Sequence, residues 1–249
     1  DSTAGRLLAK KMKTILSQEK RYEKAAQSMT QKPLEEEQIQ LFFSDIEPLA
    51  TSKVLVLLEN ETLSIGERVL AQELQLTVRG QDKIGIIGPN GVGKSTLLGK
   101  LQQLLSDKSE ISLGFMPQDY QETLQLDLSP VEFLSKTGHK EELQKIQSFL
   151  ASLNFSYPEM HHQIRSLSGG QQGKLLLLNL VLRKPNFLIL DEPTRNFSPT
   201  SQPEIRKLFA TYPGGLITVS HDRRFLKEVC RSIYRLTEHG LEVVDLQDL

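Results

Sequence analysis

Nine consecutive residues carry the strongest chemistry in the chain: Gly88, Pro89, Asn90, Gly91, Val92, Gly93, Lys94, Ser95 and Thr96. They satisfy G-x-x-x-x-G-K-[ST] and sit after an apolar run and before a helical pattern, the context a phosphate loop requires. Glycines let the backbone curl until its N–H groups converge on phosphate oxygens. The helix that follows adds the positive end of its dipole. In such a loop Lys94 bridges the β- and γ-phosphates, and the Ser95 hydroxyl is a Mg2+ ligand. The loop specifies a nucleoside triphosphate but not a reaction, because kinases, GTPases, helicases and transport ATPases all use it.

Two further constellations narrow the chemistry. Phe187 to Leu190 is apolar and runs into Asp191 and Glu192. A buried strand ending in carboxylates delivers them to the mouth of the phosphate site, Asp191 to hold Mg2+ and Glu192 to take a proton from attacking water. An ordinary acidic turn is the alternative. Leu167, Ser168, Gly169, Gly170 and Gln171 open another helix, and a Ser-Gly-Gly helix start is again anion-binding chemistry. One nucleotide has no use for two glycine-rich cradles. The second therefore serves a different nucleotide, or it is simply an N-cap.

Short apolar segments must position these groups. Strands are expected at Ile39–Phe43, Val54–Leu58, Leu74–Val78, Lys83–Ile87, 111–116, Phe187–Leu190 and Leu216–Val219. A helix from Gly93 places Leu97, Leu98, Leu101, Leu104 and Leu105 on one face. Residues 130–160 read as helical with breaks near Gly138 and Pro158, and further helices follow Gly170 and span Arg223–Arg231. Strands alternating with helices imply an α/β layered sheet.

Residues 1–32 differ from the rest. They hold eight Lys or Arg against three acids, a charge of +5, so the remainder carries −6 of the overall −1. Leu8, Met12, Ile15, Tyr22, Ala26 and Met29 form a heptad seam over residues 5–30, broken at Glu19. Lys10, Lys11, Lys13, Lys20, Arg21 and Lys24 could meet RNA phosphates. With Tyr22 the one aromatic nearby, any contact there would be electrostatic rather than base-stacking. Pro33 and Glu35 to Glu37 mark a boundary.

Composition excludes some classes. The longest aliphatic run, Leu175 to Leu182, is interrupted by Asn179 and closed by Lys174 and Arg183, far short of the roughly 20 apolar residues a bilayer span needs. Cys230 is the single cysteine, so no internal disulfide forms and a reducing, cytoplasmic compartment fits. The chain starts at Asp1 rather than Met, as expected of a piece of something longer. Adjacent His161 and His162 point apart in either a helix or a strand, which argues against a shared metal. Arg206, Arg223 and Arg224 read as surface or helix-end charges.

The order phosphate loop, Leu-Ser-Gly-Gly-Gln, apolar strand into Asp191-Glu192-Pro193-Thr194, then His221, resembles the ATP-binding cassette (ABC) superfamily from about residue 50 onward. The resemblance implies an α/β P-loop NTPase core sheet with a helical subdomain and an antiparallel β subdomain. It makes Leu167–Gln171 the signature motif, which contacts the γ-phosphate held by a second cassette. It makes Gln118, in Phe115-Met116-Pro117-Gln118, the glutamine that senses Mg2+ and attacking water, and His221 the switch histidine at the γ-phosphate. ATP and Mg2+ are the implied ligands and ATP hydrolysis the implied reaction.

Within the superfamily the chain looks most like the second cassette of an ABC-F protein, a group of soluble ribosome-binding ATPases that includes translation and antibiotic-resistance factors. The basic heptad helix, the short stretch from Lys94 to Gln118 and the lack of a membrane segment carry that likeness. It implies a linker helix at 1–32, a connecting segment at 33–52 and an ATPase domain at 53–249, whose helical subdomain covers about 122–182. Its partners would be a second cassette and rRNA. The alternative is the ATPase subunit of a membrane transporter. Two positions depart from the family pattern. Ser198 stands where an aspartate is usual, and Ile65 stands where an adenine-stacking aromatic is common.

Overall fold

A computed structural model describes residues 41–249. The heptad segment expected over 1–32 therefore lies outside the described residues. The centre of the fold is a six-stranded sheet in the order β4-β5-β6-β3-β7-β8. Its strands are β3 (Lys83–Ile87), β4 (Leu113–Met116), β5 (Phe187–Asp191), β6 (Gly215–Val219), β7 (Ser232–Thr237) and β8 (Gly240–Val244). All neighbours pair in parallel except β7 and β8, a hairpin that closes one edge. β1 (Val54–Ile65) and β2 (Arg68–Arg79) pair antiparallel as a separate two-stranded sheet.

A parallel sheet needs cover on both faces, and the sequence supplies it strand by strand. In β5, Phe187 and Ile189 point into one hydrophobic cluster, and Leu188 and Leu190 into the other. In β6, Leu216 and Ile217 divide the same way. One cluster lies under the β1–β2 hairpin and α1 (Lys94–Ser106), whose Leu97, Leu98, Leu101 and Leu105 are buried at helical spacing. The other packs against α5 (Gly169–Arg183), α6 (Gln202–Ala210) and α7 (Arg223–Val229). α5 is buried continuously from Gly173 to Leu180, as a helix enclosed by its own domain must be.

The region expected to be helical with two breaks resolves into α2 (Pro130–Leu134), α3 (Lys140–Ser152) and α4 (Tyr157–His161). Ser129 with Glu132, and Ser156 with Glu159, form capping boxes around an early proline. Glu142 closes the break at Gly138 by accepting from the N–H groups of Lys136, Thr137 and Gly138 at 2.9, 2.9 and 3.0 Å. Those donors hold its pKa down at about 2.

Several expectations shift. Residues 41–43 form no strand; instead the Phe43 ring meets Tyr212 edge-on with centroids 4.8 Å apart, and burial rather than pairing explains its apolar character. β1 and β2 are longer than expected because they absorb irregular pairing, with Asn60 and Glu73 at φ 57° and 54°. The last helix stops at Val229 rather than Arg231. Arg206 is not a surface charge. It is 7% exposed, and its Nε donates to Glu228 Oε1 at 3.0 Å, joining α6 to α7. Arg223 and Arg224 are exposed at the start of α7, as expected.

Candidate active site

Four adjacent parallel strands end at one edge of the sheet, and each delivers a candidate residue there. The phosphate loop follows β3, Gln118 follows β4, Asp191 and Glu192 end β5, and His221 follows β6. The carboxyl ends of parallel strands form the crevice where such sheets bind ligands. Here they enclose a cavity of about 790 Å³ whose wall includes Asn90, Gly91, Gly93, Lys94, Ser95, Thr96, Gln118, Asp191, Glu192 and His221. Residues separated by more than a hundred positions in sequence thus converge on one volume.

The loop conformation depends on its glycines. Gly88, Gly91 and Gly93 have φ of 150°, 81° and 109°. A Cβ on Gly88 would come within 2.9 Å of the Leu236 carbonyl oxygen, and one on Gly93 within 3.0 Å of Leu70. Lys94 is buried, and its Nζ donates to Gly88 O at 2.8 Å and Pro89 O at 2.9 Å. α1 carries no acidic residue in its first turn and no side-chain cap, so its N-terminal dipole is left uncompensated for an anion.

Ser95 Oγ donates to Asp191 Oδ2 at 3.0 Å. Two hard oxygens at this separation, with the Gln118 amide on the same wall, suit an oxygen-seeking cation such as Mg2+. Glu192 is held in the left-handed region at φ 52° while its N–H donates to Val219 O at 2.9 Å. That kink turns its carboxylate toward His221, whose backbone N–H donates to Oε2 at 3.2 Å and whose Nε2 lies 3.5 Å from Oε1. Oε1 is buried and accepts no hydrogen bond from any described residue, which fits an acceptor for a water proton.

Partial burial shifts the charged groups of the site. Burial raises the Asp191 pKa, opposed by the Ser95 hydrogen bond and the charges of Lys94 and Arg195. Burial raises that of Glu192, opposed chiefly by the His221 backbone N–H. Burial lowers that of Lys94, opposed by Glu192 and Asp191. In each case desolvation disfavours the charged form.

The signature residues are not on this wall. Leu167 is buried, while Ser168 and Gly169 are exposed at the start of α5. Ser168 Oγ accepts from Gln171 N–H at 3.3 Å, and Gln171 Oε1 accepts from Ser168 N–H at 2.9 Å. The capping box explains the Ser and Gln locally but not the two glycines, of which Gly169 is exposed. Removing the cap in Ser168→Ala is expected to lower stability by about 1 kcal/mol, read from the urea midpoint. An unchanged midpoint would show that Gln171, also bound to Glu159, holds the helix start by itself.

Other sequence candidates fall elsewhere. His161 Nε2 lies 3.3 Å from Gln147 Nε2, and the His161 ring sits tilted at 45° against Tyr157. Among the described residues no group of three or more His, Cys, Asp or Glu could hold a metal ion. Ser198 accepts a local role, its Oγ 2.9 Å from both Thr200 Oγ1 and Ser201 Oγ ahead of α6. Ile65 is 58% exposed on the cavity wall beside Arg68 and Leu70. Arg195, to which the sequence pattern assigns no role, lines this cavity too. A basic residue four positions past Asp191 was the available signal.

Among the described residues no helix is long and apolar enough to cross a membrane. The fold is that of solved cassettes. The dimeric ATP-binding cassette MJ0796 bound to ADP and Pi superposes with a TM-score of 0.62 at 19% identity, over 76% of this chain and 97% of that one. The Escherichia coli K12 probable ATP-binding protein YheS is 30% identical over 82% of this chain and 33% of its own length. The Bacillus subtilis ribosome protection protein VmlR is 30% identical over 92% of this chain and 42% of its own. The Arabidopsis thaliana ABC transporter F family member 2 is 28% identical over 90% and 34%. The matched part of the chain thus covers between 33% and 42% of the length of these curated relatives. The family model described as ABC transporter matches residues 71–195, from β2 through the turn after Glu192. That span holds the phosphate loop, the signature and both carboxylates of the cavity, and the chain belongs to this family of ATP-binding cassettes.

Proposed function

We propose that the cassette binds and hydrolyses ATP as one member of a pair, and that it is the second cassette of a ribosome-associated ABC-F ATPase. The observation that carries the catalytic half is the convergence of Lys94, Ser95, Gln118, Asp191, Glu192 and His221 on one cavity at the strand ends. The ribosomal half rests on the kinship with ABC-F relatives, one of them named as a ribosome protection protein, and on the basic residues of 1–32. In this reading 1–32 is the linker, 33–52 connects and 53–249 is the ATPase domain, with 122–182 its helical part.

The residues divide the work. Loop N–H groups from Gly88 to Thr96 and the Lys94 ammonium hold the β- and γ-phosphates. Ser95, Asp191 and Gln118 would hold Mg2+ through their side-chain oxygens. When bound, Mg2+ neutralises charge on the phosphate oxygens. Glu192 takes the proton of the attacking water through Oε1, and His221 and Lys94 meet charge developing on the γ-phosphate. Ser168 and Gly169, exposed, and half-buried Gly170, all off the cavity wall, reach the γ-phosphate of a partner cassette. Closure of the pair, reversed by hydrolysis, is the output.

Phosphate release and ribosome sedimentation of the full-length protein test the two halves separately. Hydrolysis together with nucleotide-dependent co-sedimentation is expected. No phosphate release would overturn the enzymatic half. Co-purification with integral membrane subunits, and none with ribosomes, would assign the cassette to a transporter instead.

A further inference from the structure

A second cavity of about 700 Å³ adjoins the first, between α1, the segment after β4 and the start of α5. Just four residues line both: Ser95, Gln118, Asp191 and Arg195. Three of them are the oxygen and amide groups gathered around the candidate metal position. The fourth is a permanent cation.

The backbone holds Arg195 firmly at that place. Its N–H donates to Glu192 O at 3.1 Å, closing the turn that ends β5. Thr194 and Phe197 on either side are buried at 3% and 5% exposure and anchor the turn, while Arg195 itself is exposed. Its guanidinium is committed to no ion pair or hydrogen bond with another described residue. Its charge nevertheless reaches Asp191, where it opposes the upward pull of burial on the carboxyl pKa. Arg68, the other arginine on the nucleotide cavity, sits at the hairpin turn beside Ile65 and does not line the second cavity. A guanidinium offers a rigid fork of donors matched to phosphate oxygens, and an arginine supplied in cis is a known way to stabilise phosphoryl charge.

We propose that Arg195 is a further phosphate-binding residue of the ATP site, pairing with the terminal phosphate and sharing the charge neutralisation with Lys94 and Mg2+. This rests on the ATP reading above. Because Arg195 stands with Asp191 and Gln118 at the metal end of the cavity, it meets the γ-phosphate of ATP and contributes little to ADP. Its contribution is largest when Mg2+ is removed.

The test is nucleotide binding by the 249-residue chain, measured calorimetrically with ATP and ADP, each in EDTA and in excess Mg2+. Arg195→Ala is expected to weaken ATP binding about 10-fold or more in EDTA, the scale of one charge-assisted hydrogen bond. The loss in Mg2+ should be smaller, and ADP affinity should hold within about 2-fold. Arg195→Lys should recover part of the loss as a point charge. Equal losses for ATP and ADP, or no loss in EDTA, would overturn the proposal. The unliganded melting temperature reports folding; if Arg195→Ala melts early, Arg195→Gln takes its place and must give the same ATP-selective loss. A parent chain that binds neither nucleotide under any condition would overturn the ATP reading itself.

Discussion

With Glu192 replaced by Gln, ATP turnover in the full-length protein is expected to fall by roughly 10²- to 10⁴-fold, the usual worth of a positioned general base. ATP affinity should be kept. The substitution preserves shape and the acceptor that takes the His221 N–H at 3.2 Å, but it removes the group that receives the proton at Oε1. Burial raises the Glu192 pKa above the ordinary carboxylate value. The base works only when ionised, so parent turnover should fall as pH drops through a value above that of an ordinary glutamate. The Gln variant should lose that acid limb. Parental turnover in Glu192→Gln would dismiss Glu192 as the base. An acid limb at the ordinary carboxyl value would mean that solvation relieves the burial during turnover.

That prediction could be framed from sequence because its residue types are tied to short-range pattern. Glycines at Gly88, Gly91 and Gly93 are demanded by positive φ, and an apolar strand ending in two acids reads the same in one dimension as in three. Pattern also gave six of the eight strands, with shifted ends. The β7–β8 hairpin went unread. It turns through Glu238 and His239 with Gly240 at φ 120°, and polar residues on its outer face dilute the alternation. The proximity of β4 to β5 and of β6 to β3 is a matter of sheet order, which local periodicity does not encode. Arg206 was misread for the same reason: its burial is decided by Glu228 on another helix. The tilt of Glu192 toward His221 needed coordinates, since a glutamate at φ 52° contradicts local preference and persists only when its surroundings over-determine it.

Loss of Lys94 is the second change with a large expected effect, and its signature differs from those of Glu192 and Arg195. In Lys94→Ala the affinity for ATP should fall on the order of 10- to 100-fold, the range for charged hydrogen bonds removed from a partly desolvated site. ADP should weaken as well, because the ammonium reaches the β-phosphate in addition to the γ. Lys94 is the buried cation opposite Asp191 and Glu192, and its charge lowers the pKa of both carboxyls. Its removal therefore leaves burial less opposed, and any residual turnover should show an acid limb moved further upward. Lys94→Arg should not restore binding, since the two carbonyls that receive Nζ at 2.8 and 2.9 Å frame a compact ammonium rather than a planar fork. Calorimetry with ATP and ADP separates the cases. Loss for both nucleotides marks Lys94, loss for ATP without Mg2+ marks Arg195, and loss of turnover with binding intact marks Glu192. Binding by Lys94→Ala within about 2-fold of the parent would mean the triphosphate is held by the loop N–H groups and the α1 dipole without the ammonium.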